Sequence, residues 1–391
     1  MERGTGGEVH LPPPWLSPRT AYVHVPFCAH HCGYCDFAVT VGQDHQIELY
    51  LDALAMELAT LDTPQPMETL FIGGGTPTHL SPAQLERLLT TLCHWLPLPA
   101  GAEFSVESTP ESITDEKCRV MAAHGVSRVS VGVQSFRPHL LQALDRLHRV
   151  EHIPRAAEAV RKHMPSLSFD LIFAAPGATL ADWTADLHDA LRYGTDHIST
   201  YGLTYEKGTP LWKQRFRGEV NPVTEDDELA MYETAIDTLT AAGFEHYEIS
   251  NFARPGHRCR HNERYWANEA YYGFGVGAAR YVHGAREMNV RNTNDYIRRV
   301  LSGESPTFQS ERIEGRERAV ETAAIQLRRM EGIDKTRFRE QTGFDLDPLF
   351  GERLARLISQ GLLDDTGLSV GLTRRGKFVA DGIIEDLMRH G

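Results

Sequence analysis

The chain has 391 residues, 41% of them apolar, enough for one large domain and a smaller appendage. Its net charge of −13 argues against a general affinity for nucleic acid, although His and Arg cluster locally between Arg254 and Arg264. No apolar run reaches the length that crosses a bilayer, and six cysteines, three of them in one short loop, do not form the pattern of a disulfide framework. Residues 1–19 are rich in Gly and Pro and have neither a signal-peptide core nor an amphipathic Arg/Ser pattern, so a flexible tail and a reducing, cytoplasmic setting are expected.

From Ala21 a strand–helix rhythm begins. Ala21 to Phe27 reads as a buried strand that runs into Cys28, Cys32 and Cys35, a C-x3-C-x2-C loop. Ile47, Leu51, Leu54 and Leu58 recur at helical spacing and predict a helix over about Asp44 to Thr60. Thr69 to Ile72 is a second strand, ending in Gly73-Gly74-Gly75-Thr76-Pro77, and Ser81-Pro82 starts a helix that runs to about Trp95. Strands are predicted at Glu103 to Glu107, Arg128 to Gln134, Ser168 to Phe173 and His197 to Thr204, with helices around Thr114 to His124, up to His163, and Leu180 to Arg192.

Six alternations predict a parallel sheet with helical crossovers. A doubly wound sheet would satisfy the rhythm too. Cys28, Gly75, Glu107, Gln134 and Asp170, however, fall at or just past the C-terminal ends of different strands, which converge on one mouth in a (β/α) barrel. After Thr204 the rhythm breaks. A helix over Asp226 to Ala242, a strand over Glu245 to Phe252, a Tyr- and Gly-rich stretch and a linker over Ser302 to Gln309 are expected. From Arg318 a helix–helix–helix–hairpin pattern follows, as in a small winged-helix-like module. That fold alone assigns no function.

Three thiolates from one short loop can hold three irons of a 4Fe–4S cluster. A zinc loop is the alternative, but zinc prefers four ligands from paired sets and no second pair is present. Tyr22-Val-His-Val-Pro-Phe-Cys28, with Tyr34-Cys35-Asp36-Phe37, resembles the signature of the radical S-adenosylmethionine (SAM) superfamily, in its HemN/HemW branch. The resemblance implies an α/β fold: a partial (β/α)6 TIM-type barrel of the radical SAM type with a smaller C-terminal winged-helix-like domain. The expected division is a tail over 1–19, the barrel over 20–210, a connecting region over 211–304 and a HemN-type C-terminal domain over 305–391.

The resemblance further implies that Cys28, Cys32 and Cys35 hold a 4Fe–4S cluster. Tyr22, Gly74, Gly75, Thr76, Glu107, Gln134, Arg146 and Asp170 would contact SAM, which chelates the open iron and yields a 5′-deoxyadenosyl radical on one-electron reduction. The family commonly reads Gly-Leu-Pro-Gly where this chain has Ala174-Ala175-Pro176-Gly177; both changes are small, so the turn is expected to survive. Coproporphyrinogen oxidases of the branch carry a further cysteine at the position of Phe37 and a longer N-terminal extension, so this chain is more similar to the HemW subgroup. His261-Asn262-Glu263-Arg264-Tyr265-Trp266 resembles the H-N-x-x-Y-W motif associated with haem binding there. It implies haem b as cargo, with His261 (or Cys259) as iron ligand and Tyr265 and Trp266 beside the ring; without the family, a structural histidine is the commoner reading.

The function expected is a haem chaperone that delivers haem to haem-requiring respiratory enzymes, served by an electron donor such as flavodoxin or ferredoxin. It would be cytoplasmic, with any membrane contact made through its partners. Oxygen-independent coproporphyrinogen oxidase and another radical SAM reaction on a tetrapyrrole are the alternatives. Whether SAM is cleaved, and whether the chain forms a homodimer, stay open.

Overall fold

A computed structural model describes residues 13–388. Six strands alternate with helices as expected: β1 (Thr20–Val25), β2 (Thr69–Gly74), β3 (Glu103–Ser108), β4 (Arg128–Gln134), β5 (Ser166–Phe173) and β6 (His197–Gly202). All neighbours among them pair in parallel. Parallel neighbours need long crossovers, and helices such as Ile47–Ala59, Pro82–Trp95 and Leu180–Arg192 supply them. Local chemistry starts these helices where the sequence signals them. Ser81 accepts from the Gln84 N–H while the Gln84 side chain accepts from the Ser81 N–H, and Pro82 follows in the first turn.

The sheet is larger than the six predicted strands. Glu245 to Phe252 is not one strand but two, β7 (Glu245–Glu248) and β8 (Asn251–Ala253), which fold back on each other; β8 runs antiparallel to β6. From the Tyr- and Gly-rich stretch comes β9 (Tyr272–Gly275), parallel to β1 on its outer side. The order is β9-β1-β2-β3-β4-β5-β6-β8-β7, so three strands of the barrel sheet are drawn from the region 211–304. Close approach explains why β9 is rich in glycine. A Cβ on Gly273 would fall 1.8 Å from the Ala279 carbonyl oxygen, and Gly275, at φ +94°, leaves 2.5 Å to the His24 carbonyl oxygen. The buried Glu57 carboxylate fastens β9 by accepting from the Gly275 N–H (2.8 Å), the Asn289 amide (2.7 Å) and the Tyr296 hydroxyl (2.6 Å).

Beyond the barrel, β10 (Ala279–Val282), β11 (Ala285–Asn289) and β12 (Thr307–Arg312) form an antiparallel sheet. The expected linker over Ser302 to Gln309 therefore contains the start of a strand. A second apolar core gathers helices Gly315–Gln326, Lys335–Thr342 and Glu352–Ser359 with a small sheet of β13 (Ile333–Asp334), β14 (Leu363–Asp365) and β15 (Ser369–Leu372). The winged-helix-like pattern is present. Residues 1–12 of the expected tail lie outside the described residues. Its end is held in place: the Ala270 N–H donates to the Pro14 carbonyl (3.1 Å) and the Glu68 N–H to that of Arg19 (2.7 Å).

The Ala174-Ala175-Pro176-Gly177 turn survives, with an Ala178 N–H to Ala175 carbonyl bond of 2.9 Å. Ala174 nonetheless adopts φ +58°, the left-handed region that suits the glycine found there in the family. Ala174→Gly should raise the unfolding free energy by about 0.5–1 kcal/mol, the left-handed strain less the extra chain entropy of glycine. Urea denaturation of the two proteins would measure it.

Candidate functional site

The cysteine loop leaves the end of β1 and is closed at its base. Phe27–Cys28 pairs in parallel with Thr40–Val41, and the Thr40 N–H reaches the Pro26 carbonyl at 2.7 Å. Cys28, Cys32 and Cys35 are free thiols, each half-buried. One backbone bond holds the loop from outside: the Leu211 N–H donates to the Gly33 carbonyl at 2.8 Å. The thiols line one wall of a cavity of about 760 Å³. Among the described residues no three His, Cys, Asp or Glu side chains gather as one metal ion requires. A cubane instead takes each thiolate at a separate iron, so the arrangement fits a cluster better than a zinc ion.

Against the root of the loop lies the glycine turn at the end of β2. A Cβ on Gly73 would meet Glu107 Oε2 at 2.5 Å, one on Gly74 the His24 ring at 2.5 Å, and one on Gly75 the Pro26 and Phe27 backbone at 2.8 Å. Gly74 also takes φ +103°. Only a run without side chains can pass here. Its backbone bonds hold the two halves of the site together: the Gly75 N–H donates to the Val25 carbonyl and the Thr76 N–H to that of Phe27, both at 2.8 Å.

Gly74, Gly75, Thr76, Glu107, Gln134, Arg146 and Asp170 all line the same cavity as the cysteines. They come from four strands and a loop, and only closure of the barrel brings them together. Glu107 accepts from the Gly74 N–H at 3.0 Å, and its pKa is raised to about 7, by burial first and then by Asp170. Burial also raises Asp170, against the help of Ser130, which donates to it at 2.9 Å. Neither carboxylate has an ion-pair partner among the described residues. Two buried acids and the Arg146 guanidinium lining one cavity suit a ligand that carries an amine and a carboxylate. The residues present therefore fit both a cluster and SAM.

Tyr22 is corrected. It does not line the cavity, because it lies two residues back along β1 from His24 and so one layer deeper. Its ring stacks on Phe71 and its hydroxyl is 3.1 Å from His24 Nδ1. His261, Tyr265 and Trp266 lie outside that cavity as well. Helix Arg260–Trp266 sits at the opposite, N-terminal end of the barrel. The start of β3 caps it: Glu103 accepts from the backbone N–H groups of Arg260 (2.8 Å) and His261 (3.1 Å). His261 is only 2% exposed, with Nδ1 3.1 Å from the Thr69 hydroxyl and its ring beside Phe71 and Tyr265. Thr69 and Gly74 are the two ends of β2, about 16 Å apart at strand rise. Cys259, the rival ligand, is buried against Glu103. Trp266 lies under the Arg328 guanidinium, and the Asn268 amide donates to the Thr322 hydroxyl at 2.9 Å, so the segment clasps the C-terminal domain onto the barrel.

One residue of the site escaped the sequence reading. His24 Nε2 donates to the Ala38 carbonyl at 2.9 Å, Nδ1 faces the Tyr22 hydroxyl, and the ring packs under Gly74. It ties β1, the return limb of the cysteine loop and the glycine turn. Burial lowers its pKa to about 4, so it is neutral at pH 7 and one nitrogen can accept while the other donates. The signal was present in Tyr-Val-His-Val-Pro-Phe-Cys, but nothing in a strand pattern says what a buried imidazole bonds to. His24→Leu keeps the bulk and removes both bonds. It should lower stability by about 2 kcal/mol and reduce the iron retained per chain after anaerobic reconstitution, whereas His24→Gln, which keeps a donor for Ala38, should retain more of both.

Comparison with known proteins agrees with this geometry. Residues 22–190 match the radical SAM superfamily and residues 313–379 the HemN C-terminal domain. A Bacillus subtilis protein named heme chaperone HemW is 36% identical, over 93% of this chain and 98% of its own length. Proteins of the same name from Mycobacterium tuberculosis and Escherichia coli are 35% and 31% identical, each over 95% of this chain and over 95% and 98% of their own lengths. The structure of coproporphyrinogen III oxidase (HemN) from Escherichia coli superposes with a TM-score of 0.84, covering 96% of this chain and 91% of that one; at 24% identity this establishes the fold. Three thiols and a glycine turn at one barrel mouth, and relatives that match from end to end, identify the chain as a member of the HemW family of the radical SAM superfamily.

Proposed function

We propose that the protein is a haem chaperone. It holds a 4Fe–4S cluster on Cys28, Cys32 and Cys35 and binds SAM beside it, and it passes haem to haem-requiring respiratory enzymes. The observation that carries the cofactor half is the shared cavity, in which three free thiols face two buried, unpaired carboxylates and a guanidinium. The chaperone half is supported by end-to-end similarity to proteins of that name, and by Phe37, 64% exposed at the cavity rim, where oxidases of the branch carry a further cysteine. When bound, cluster and SAM would together supply radical chemistry from a single electron, delivered by a donor of the flavodoxin or ferredoxin kind. The chain's own part is to hold the amine with Glu107 and the Gly74–Thr76 turn, and the carboxylate with Arg146. The division at residues 20–210, 211–304 and 305–391 is kept as a functional one, with the middle part supplying both edges of the barrel sheet.

Haem binding at the H-N-x-x-Y-W segment requires movement. His261 Nε2 is buried without a hydrogen-bond partner, so a haem iron reaches it only when helix Arg260–Trp266 leaves the barrel floor. Affinity is then reduced by the fraction of molecules in which the segment is free. Titrating haem into the cluster-loaded protein while following the Soret band should show tight binding that weakens at least about tenfold in His261→Ala, one factor of ten being 1.4 kcal/mol. Haem binding should also increase proteolysis between the barrel and the C-terminal domain. Turnover of coproporphyrinogen to protoporphyrinogen with SAM and a reductant, without stable haem binding, would replace the chaperone by the oxidase.

Glu107 gives a second test. With a pKa of about 7 it is protonated below that pH and must lose its proton to pair with the amine of SAM. SAM affinity should therefore rise with pH by up to about tenfold per unit below 7 and level off above it. Glu107→Gln should bind weakly with no such dependence, as read by anaerobic calorimetry.

A further inference from the structure

The three cysteine sulfurs are not equivalent. Cys28 Sγ lies 3.4 Å from the Thr76 hydroxyl, a neutral donor. Cys35 Sγ accepts from the backbone N–H of Phe37, also neutral. Cys32 Sγ faces a cation: Arg146 Nη1 donates to it at 3.3 Å.

That guanidinium is fixed from three sides. Its Nη2 donates to the Gly132 carbonyl at 2.9 Å and its Nε to His148 Nδ1 at 3.3 Å. His148 is 2% exposed, and burial with the adjacent Arg146 lowers its pKa to about 3, so its Nδ1 is free to accept. Asp145, at φ +54°, turns the backbone just before Arg146 and aims the side chain back into the cavity. Among the described residues no carboxylate lies within ion-pair distance of Arg146; Glu111 and Asp170 act on it only from farther off, and its side-chain contacts on the loop are Tyr34 and Cys32.

We propose that Arg146, apart from any contact with SAM, is a redox-tuning residue: its guanidinium on Cys32 Sγ raises the reduction potential of the cluster. The inference rests on the 4Fe–4S reading given above. Reduction adds one negative charge to the cluster and its thiolates. A donor to a ligand sulfur draws off part of that charge, and a fixed cation in a water-poor cavity stabilises the more negative form. The hydroxyl and amide donors at the other two cysteines act in the same direction with no net charge. The cation therefore outweighs them, and it makes one corner of the cluster electronically distinct before any ligand arrives.

The test is a redox titration of the anaerobically reconstituted full chain without SAM, using dithionite as reductant and electron paramagnetic resonance as readout. Wild type must first show about four irons and four sulfides per chain and a reduced-cluster signal; failure here sinks the cluster reading itself, not the tuning. With clusters intact, Arg146→Gln should disfavour reduction at least tenfold, a fall of about 59 mV for one electron. Arg146→Lys keeps a charge but loses the fork and should fall by a smaller amount. Thr76→Val should shift the potential less than Arg146→Gln. If Arg146→Gln holds no iron, Arg146→Lys decides. A potential equal to wild type in whichever of the two retains its cluster, or a larger shift from Thr76→Val, overturns the proposal.

Discussion

The site depends on one steric constraint. Gly73, Gly74 and Gly75 let the end of β2 pass where the Glu107 carboxylate, the His24 ring and the Pro26–Phe27 backbone all stand within contact of the missing Cβ positions. Because the turn is bare, Glu107 reaches the Gly74 N–H, His24 packs beneath it while holding Ala38, and the Thr76 N–H reaches back to Phe27 at the root of the cysteine loop. Any side chain in the turn would separate the loop that carries the thiols from the strand that presents the backbone. The other contributors, Gln134, Arg146 and Asp170, then need only the ordinary convergence of parallel strand ends at a barrel mouth.

Electrostatics divide the barrel into two ends with different tasks. At the C-terminal end, buried charges are left without ion-pair partners among the described residues and face the cavity. Glu107 and Asp170 have their pKa values raised by burial, and Arg146 points at a cysteine sulfur. Groups held in that way are costly to folding and are best explained by a ligand that completes them. At the N-terminal end several polar groups complete one another, although buried nitrogens of Arg128, His261 and Trp266 have no hydrogen-bond partner among the described residues. Glu103 caps helix Arg260–Trp266, Thr69 meets His261, and the His197 ring is bonded on both sides, to Ser168 at 2.9 Å and Tyr247 at 2.7 Å. The H-N-x-x-Y-W segment belongs to this second end. In the conformation described it works as a clasp, and the proposed haem ligation by His261 would require release of that clasp.

The region between the barrel helices and the C-terminal domain has a larger part than a connection. It supplies β9 at one edge of the sheet and β7 and β8 at the other, and Glu57 joins the first helix of the barrel to β9 and to Tyr296 through three hydrogen bonds. A buried carboxylate with three donors is stable only while all three stay in place. The same middle region carries the clasp helix, so movement there would reach both the barrel edge and the C-terminal domain.

Much of this was legible in the chain. The strand–helix rhythm located all six leading strands within a few residues, and the cysteine spacing, the glycine run and the polar residues at strand ends marked the mouth where the cavity lies. Those features are local, and local sterics and hydrogen bonding determine them. What the chain could not decide involved partners distant in sequence. β9 is a short Tyr- and Gly-rich strand with no alternation, and it is a strand only because β1 offers it an edge. Tyr22 and His24 share a face of β1, but which of them reaches the site depends on the depth of each in the barrel. His261 sits in a motif that suggests an accessible ligand, yet burial is a property of the packed molecule: Thr69, Glu103 and Phe71 enclose it from positions more than 150 residues earlier in the chain. Sequence pattern determined the elements and the chemistry at their ends; tertiary packing decided which of those groups face the cavity and which are sealed beneath it, because exposure is set by neighbours that the local pattern does not contain.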